Sequence, residues 1–196
     1  MPPKLRLEKV GLKYGRQVVF QDISASLSEG EAWAIVGPNG AGKSSLLSLM
    51  AGYLTPTMGK IERAAALSEL AWQSPHVQPP PDSLVRDIVE DWKALKAAQI
   101  PPDFYERWKL PPHKPLHTLS SGMRHRLLVA LALTLERGII LLDEPTAFMD
   151  QAHKHAVHEA LRNRMGDPAI LIVCATNDPE EAAIFPNVLR LYEYAA

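Results

Sequence analysis

The chain has 196 residues, 46% of them apolar and 22% charged, with a formal net charge of −1. That length suits one well-buried core, or a main domain with a small satellite. The near-zero charge excludes broad electrostatic capture of nucleic acid or anionic membrane, so partners must be recognised at sites. The one cysteine, Cys174, can form no internal disulfide and reads as a small buried hydrophobe in a reducing compartment. No apolar stretch approaches the roughly 20 residues of a membrane span, and the opening M-P-P-K-L-R-L-E has no signal-peptide core. A cytosolic chain is expected.

In chain order, Leu5 to Leu12 and Val18 to Phe20 read as short strands around the turn Lys13-Tyr14-Gly15-Arg16, and Ile23 to Leu27 alternates like another. Ala32 to Val36 is a buried-strand run that ends at Gly37, followed by a glycine-rich turn and a helical pattern from Ser44 to Ala51, closed by Gly52. Leu67 to Trp72 reads as a strand, and Ser74 to Pro81 is too rich in proline for regular structure. Asp82 to Lys96 and Ser120 to Glu136 are helix-like, the second with Leu127, Leu128, Leu131 and Leu135 on one side. Residues 78–136 thus read as a small helical insertion. The flanking parts, 1–77 and 137–196, return to the main domain. Ile139 to Leu142 and Ala169 to Ala175 are buried strands separated by the helix Gln151 to Met165. Apolar strands alternating with helices predict a mainly parallel α/β sheet with its ligand site at the strand C-termini.

Two strand tips carry chemistry. Gly37, Pro38, Asn39, Gly40, Ala41, Gly42, Lys43 and Ser44 fit G-x-x-x-x-G-K-[ST] between a strand and a helix, the context that makes the pattern a phosphate loop. Its glycines turn backbone N–H groups inward and the helix start adds partial positive charge. Lys43 reaches the β/γ phosphates, and the Ser44 hydroxyl can ligate Mg²⁺. Ser45 follows at the same helix start. The second tip is Ile139-Ile-Leu-Leu-Asp143-Glu144, where one carboxylate can face a metal ion and the next an attacking water.

With these motifs the chain resembles the ATP-binding cassette (ABC) ATPase family over nearly its whole length. Leu119-Ser120-Ser121-Gly122-Met123 is similar to the family signature L-S-G-G-Q, and Pro145-Thr146 with Ala147 to Asp150 is similar to the turn and D-loop that follow the acidic strand. The resemblance implies an α/β P-loop NTPase with a mainly parallel core sheet, an N-terminal antiparallel β subdomain and a small helical subdomain bearing the signature. It implies ATP and Mg²⁺ as cofactors and Glu144 as the residue that serves the attacking water. Gln73 would contact metal and water, so that Ser44 and Gln73 are metal contacts, and Asp143 would complete the nucleotide site. Ser120 and Gly122 would cover ATP held by a second cassette, in a homodimer or a heterodimer. Tyr14 stands where the family stacks an aromatic on adenine, although a turn tyrosine also reads as packing. Asn177 stands where the family has a γ-phosphate-sensing histidine. An amide can donate one hydrogen bond but carries no positive charge, and Asn177 also reads as a cap for the turn into Pro179.

The short stretch between Gln73 and Leu119 resembles small cassettes such as the haem exporter ATP-binding subunit. On that resemblance, the expected function is an ATP-hydrolysing subunit held at the inner face of the membrane by a separate membrane-spanning subunit that docks on Pro75 to Leu84. A soluble assembly ATPase of iron–sulfur type and a weakly hydrolysing nucleotide switch are the alternatives. No nucleic-acid partner is expected.

Overall fold

The computed structural model describes residues 3–75, 77–96 and 98–194. Among them the elements in chain order are β1 (Leu5–Tyr14), β2 (Gln17–Leu27), β3 (Ala32–Val36), α1 (Lys43–Ala51), β4 (Met58–Arg63), β5 (Leu70–Gln73), α2 (Val85–Lys96), α3 (Phe104–Arg107), α4 (Ser121–Ala132), β6 (Gly138–Asp143), α5 (Gln151–Arg164), β7 (Ile170–Thr176), α6 (Pro179–Ala182) and β8 (Asn187–Arg190). The strands make an antiparallel sheet in the order β2-β1-β4 and a parallel sheet in the order β5-β6-β7-β3-β8. The fold is therefore the expected α/β arrangement of a parallel core sheet with an N-terminal antiparallel one.

The continuous apolar runs of β6 and β7 follow from burial on both faces of the parallel sheet. Ile140 and Leu142 of β6, with Ile170, Ile172 and Cys174 of β7, pack on the side that also holds Leu127, Leu131, Val157 and Leu161. Their alternates Ile139, Leu141, Leu171 and Val173 face Leu46, Leu47 and Met50 of α1 and Phe20 and Leu27 of β2. A strand covered on both faces has no polar alternation to show. Each fully buried Leu or Ile contributes about 1.5–3 kcal/mol of transfer free energy. Cys174 is fully buried, and desolvation pushes its thiol well above the usual range, in keeping with a packing role.

The register places the chemistry. Val36 pairs with Thr176, Asp143 with Ala175 and Gln73 with Leu142, so four neighbouring strands end at one edge of the sheet. Gly138 opens β6 at φ 113°, where a Cβ would lie 2.0 Å from the Glu69 carbonyl oxygen. Only glycine lets the start of β6 approach the residue before β5 that closely.

Several boundaries differ from expectation. Val18 to Leu27 is one strand, not two, because left-handed Asp22 (φ 60°) lets β2 continue through a register shift against β1. Leu67 to Glu69 forms a 3₁₀ turn, and the strand starts only at Leu70. The second helix starts at Val85 instead of Asp82, and α4 ends at Ala132, short of Glu136. On α4, Leu128 is only partly buried, whereas Leu127 and Leu131 are buried. Strands β4 and β8 were not expected. The helices α2, α3 and α4 all arise between β5 and β6.

Candidate functional site

The phosphate loop is shaped by two left-handed glycines, Gly40 (φ 83°) and Gly42 (φ 93°), with the Ala41 N–H donating back to the Pro38 carbonyl at 3.2 Å. A Cβ on Gly42 would lie 2.5 Å from Val19 Cγ1, so the loop is seated directly on β2. Gly42 caps α1 through its backbone alone, with no side-chain hydrogen bond to the helix start. The first N–H groups of α1 are thus left for an anion. Lys43 is buried to 6% exposure, and its Nζ donates to the carbonyls of Gly37 at 2.9 Å and Pro38 at 3.3 Å. The same Nζ stands 3.5 Å from Glu144 Oε1, which brings the acidic strand end to the phosphate loop. Tyr14, Asn39, Lys43, Ser44, Ser45 and Glu144 line a common cavity of about 500 Å³. Tyr14 is 56% exposed there, with its hydroxyl 3.5 Å from Ser45 Oγ. A larger groove of about 850 Å³ along β1, β2 and β4, lined by Glu8, Met58 and Lys60 among others, contains none of the motif residues.

Asp143 closes β6 with 2% exposure, and its N–H donates to Gln73 Oε1 at 3.0 Å. Gln73 is equally buried, and its Nε2 has no hydrogen-bond partner among the described residues. Its amide oxygen, the atom expected to meet a metal ion, is thus bonded to the strand tip. Glu144 adopts left-handed backbone geometry at φ 50°. Its N–H donates to Ala175 O at 2.8 Å, and its carbonyl accepts from Ala147 N at 3.0 Å and from His125 Nε2 at 2.8 Å. His125, on α4, was not anticipated as a site residue. Its signal was a polar side chain within the leucine-rich buried stretch of that helix. Burial holds its imidazole below the usual range, and an acceptor-only carbonyl requires the proton on Nε2.

Ser120 caps α4, its Oγ accepting from Met123 N at 3.2 Å, and the residue is exposed. A Cβ on Gly122 would lie 2.8 Å from Phe148 O, so the signature helix rests against the D-loop turn. Phe148 is left-handed (φ 63°) and 76% exposed, and Asp150 caps α5 by accepting from His153 N at 2.9 Å.

Asn177 stands directly beyond Thr176 and donates from Nδ2 to Asn39 Oδ1 at 2.8 Å. The residue therefore reaches the phosphate loop. The cap of α6 falls instead to Asp178, which accepts from Glu180 N at 2.9 Å. Behind this tip Glu181 is buried to 1% exposure, and desolvation pushes its carboxyl up to about 7, opposed by the nearby hydroxyls of Thr176 and Thr146. Asn39 and Thr146 belong to stretches named from the sequence, whereas Glu181 was not anticipated, and only the acidic run after Asn177 hinted at it.

Comparison with known proteins places this geometry. The sequence model described as "ABC transporter" matches residues 20–147. The Bacillus subtilis "ABC transporter ATP-binding protein YtrE" is 32% identical, covering 89% of this chain and 85% of that protein. The Escherichia coli "Probable iron export ATP-binding protein FetA" is 29% identical over 98% of this chain and 93% of its own length. Among solved structures, the cassette of a metal-chelate type transporter in an inward-facing conformation superposes with a TM-score of 0.76 at 28% identity, covering 96% of this chain and 79% of that one. A dimeric cassette bound to ADP and phosphate superposes with a TM-score of 0.80 at 19% identity, covering 95% and 93%, and supports the fold.

Proposed function

Since this chain belongs to the ABC transporter ATP-binding family, we propose that its two-tip site hydrolyses Mg²⁺-ATP between two cassettes and drives a separate membrane subunit. The carrying observation is the Lys43–Glu144 pair at 3.5 Å, which sets a carboxylate beside the lysine that grips phosphate. Gly37 to Ser45 hold the triphosphate through backbone N–H groups and Lys43. Tyr14 borders the adenine side, and Ser120 and Gly122 close the site of the second cassette. Mg²⁺ fits this donor set. Among the described residues no cluster of three or more His, Cys, Asp or Glu could cage a metal, and Mg²⁺ bound with phosphate asks for only one or two protein ligands. Ser44 and Asp143 would supply these. Gln73 joins them if its amide oxygen leaves Asp143 N–H. When bound, the ion neutralises charge on the phosphates, while Glu144 takes the proton from the attacking water.

The helical subdomain is assigned to residues 78–136. The membrane partner is assigned to Pro75 to Leu84, of which His76 lies outside the described residues. Supporting this, Leu116 N donates to Ser83 O and His117 N to Pro81 O, both at 2.9 Å, so the segment is bonded to the approach to the signature. Among the described residues no helix is long and apolar enough to cross a membrane, in keeping with attachment through a partner. The compact insertion supports a small exporter-type cassette like the haem exporter subunit, and iron export and Nod factor export appear in relatives' names. The Asn177–Asn39 bond favours a second reading, a slow nucleotide switch, because the sensor position offers an uncharged amide.

The test is Glu144→Gln. Loss of a general base lowers turnover by ~10²–10⁴-fold, with ATP affinity retained and an ATP-bound dimer accumulating on size exclusion. A mutant that turns over like wild type would sink the hydrolytic assignment. A wild type that barely turns over would favour the switch.

A further inference from the structure

Glu144 holds a backbone conformation that costs a non-glycine residue on the order of 1–3 kcal/mol and persists only where its surroundings fix it. Two of the groups that fix it are local or come from the sheet: Ala147 N at its carbonyl, and Ala175 O at its N–H. The third comes from elsewhere. His125 Nε2 donates to the Glu144 carbonyl at 2.8 Å across 19 positions of sequence, from a side chain only 7% exposed. His125 sits on the helix that Ser120 caps, and its ring packs edge-on against Phe148 with centroids 6.1 Å apart. Gly122, one turn earlier, lets the same helix approach the Phe148 carbonyl. The signature helix and the turn bearing Glu144 are therefore joined at the Glu144 carbonyl, through His125, and at Phe148.

We propose that His125 is a positioning residue that fixes the backbone of Glu144 to the signature helix and so aims the carboxylate at its water. This inference deepens the hydrolytic reading and rests on it for the role of the carboxylate. The helix that bears the group reaching the neighbouring cassette's nucleotide then also holds in place the turn whose carboxylate serves the chain's own nucleotide. Water cannot replace the bond without entering a packed contact, whereas a glutamine amide can, because its Nε2–H₂ has similar reach to the imidazole Nε2–H.

The test compares His125→Ala with His125→Gln in the full-length chain. His125→Ala should lower kcat about tenfold with ATP affinity within twofold of wild type, and His125→Gln should restore kcat to within threefold. Independently of turnover, hydrogen exchange of the segment Glu144 to Met149 without nucleotide should be about tenfold faster in His125→Ala and near wild type in His125→Gln, with α1 unchanged. Unchanged kcat and exchange in His125→Ala would overturn the proposal. So would a glutamine variant that folds like wild type, by circular dichroism, and rescues neither. If the wild type itself showed no ATP turnover but the exchange pattern held, the hydrolytic reading would fail and the backbone tie would stand.

Discussion

Two helices of this cassette begin at sequence motifs, and they begin in opposite ways. At α1 the cap is left-handed Gly42, without a side-chain bond to the helix start. At α4 the cap is extended Ser120, whose Oγ already accepts from Met123 N. The first start leaves its N–H groups for a ligand and places a buried lysine among them. The second satisfies itself through an exposed serine. A helix start left open to an anion is thus built by leaving out a cap, and one that satisfies itself is built by including one. The third such start, α6 after β7, follows the second pattern through Asp178, and its polar investment is inside, in Glu181.

The contrast can be broken at each point. Gly42→Ala puts a Cβ 2.5 Å from Val19 at φ 93°, and should lower ATP affinity by about 10³-fold, measured by titration calorimetry. At α6, Glu181→Gln reads the buried carboxyl. Its folded value of about 7 lies above the ordinary 4.5, so the folded chain holds the proton more tightly than the unfolded chain. The stability this gives is fully present below pH 4.5 and is lost as pH rises through about 7, an effect of about 3 kcal/mol. Relative to wild type, Glu181→Gln should therefore gain thermal stability on going from pH 5 to pH 8. An equal difference at both pH values would mean that the carboxyl titrates normally. The smallest effect belongs to Ser120→Ala, which removes a cap worth about 1 kcal/mol. Monomer affinity for ATP should stay within twofold, while ATP-induced dimerisation weakens on ultracentrifugation. An equal loss of monomer binding would erase the distinction between the two helix starts.

Legibility in the sequence followed the same physics. The parallel strands and the phosphate loop could be read because burial on both faces writes uninterrupted apolar runs, and because a left-handed loop restricts positions to glycine. Strand β4, M-G-K-I-E-R, carries no such record: Met58, Lys60 and Glu62 are exposed, and pairing with β1 makes it a strand. Strand β8 is a four-residue edge held by β3. In the site, Lys43, Asp143 and Glu144 were legible from residue type at a strand tip. His125 was not, since its role depends on which distant backbone it meets. Gln73 was legible as a residue but not in its conformation, which bonds its oxygen to Asp143.

The strand order has a consequence for how the protein is made. The phosphate loop follows β3, and β3 lies between β7 and β8, which end at Thr176 and Arg190. While the chain emerges from a ribosome, the antiparallel sheet has all three of its strands by Arg63, but β3 has neither hydrogen-bonded neighbour until the last stretch is delivered. The phosphate loop is among the first segments to be translated and among the last to be held in place, so a chain stalled before residue 170 would carry the whole motif without the parallel-sheet neighbours that support it.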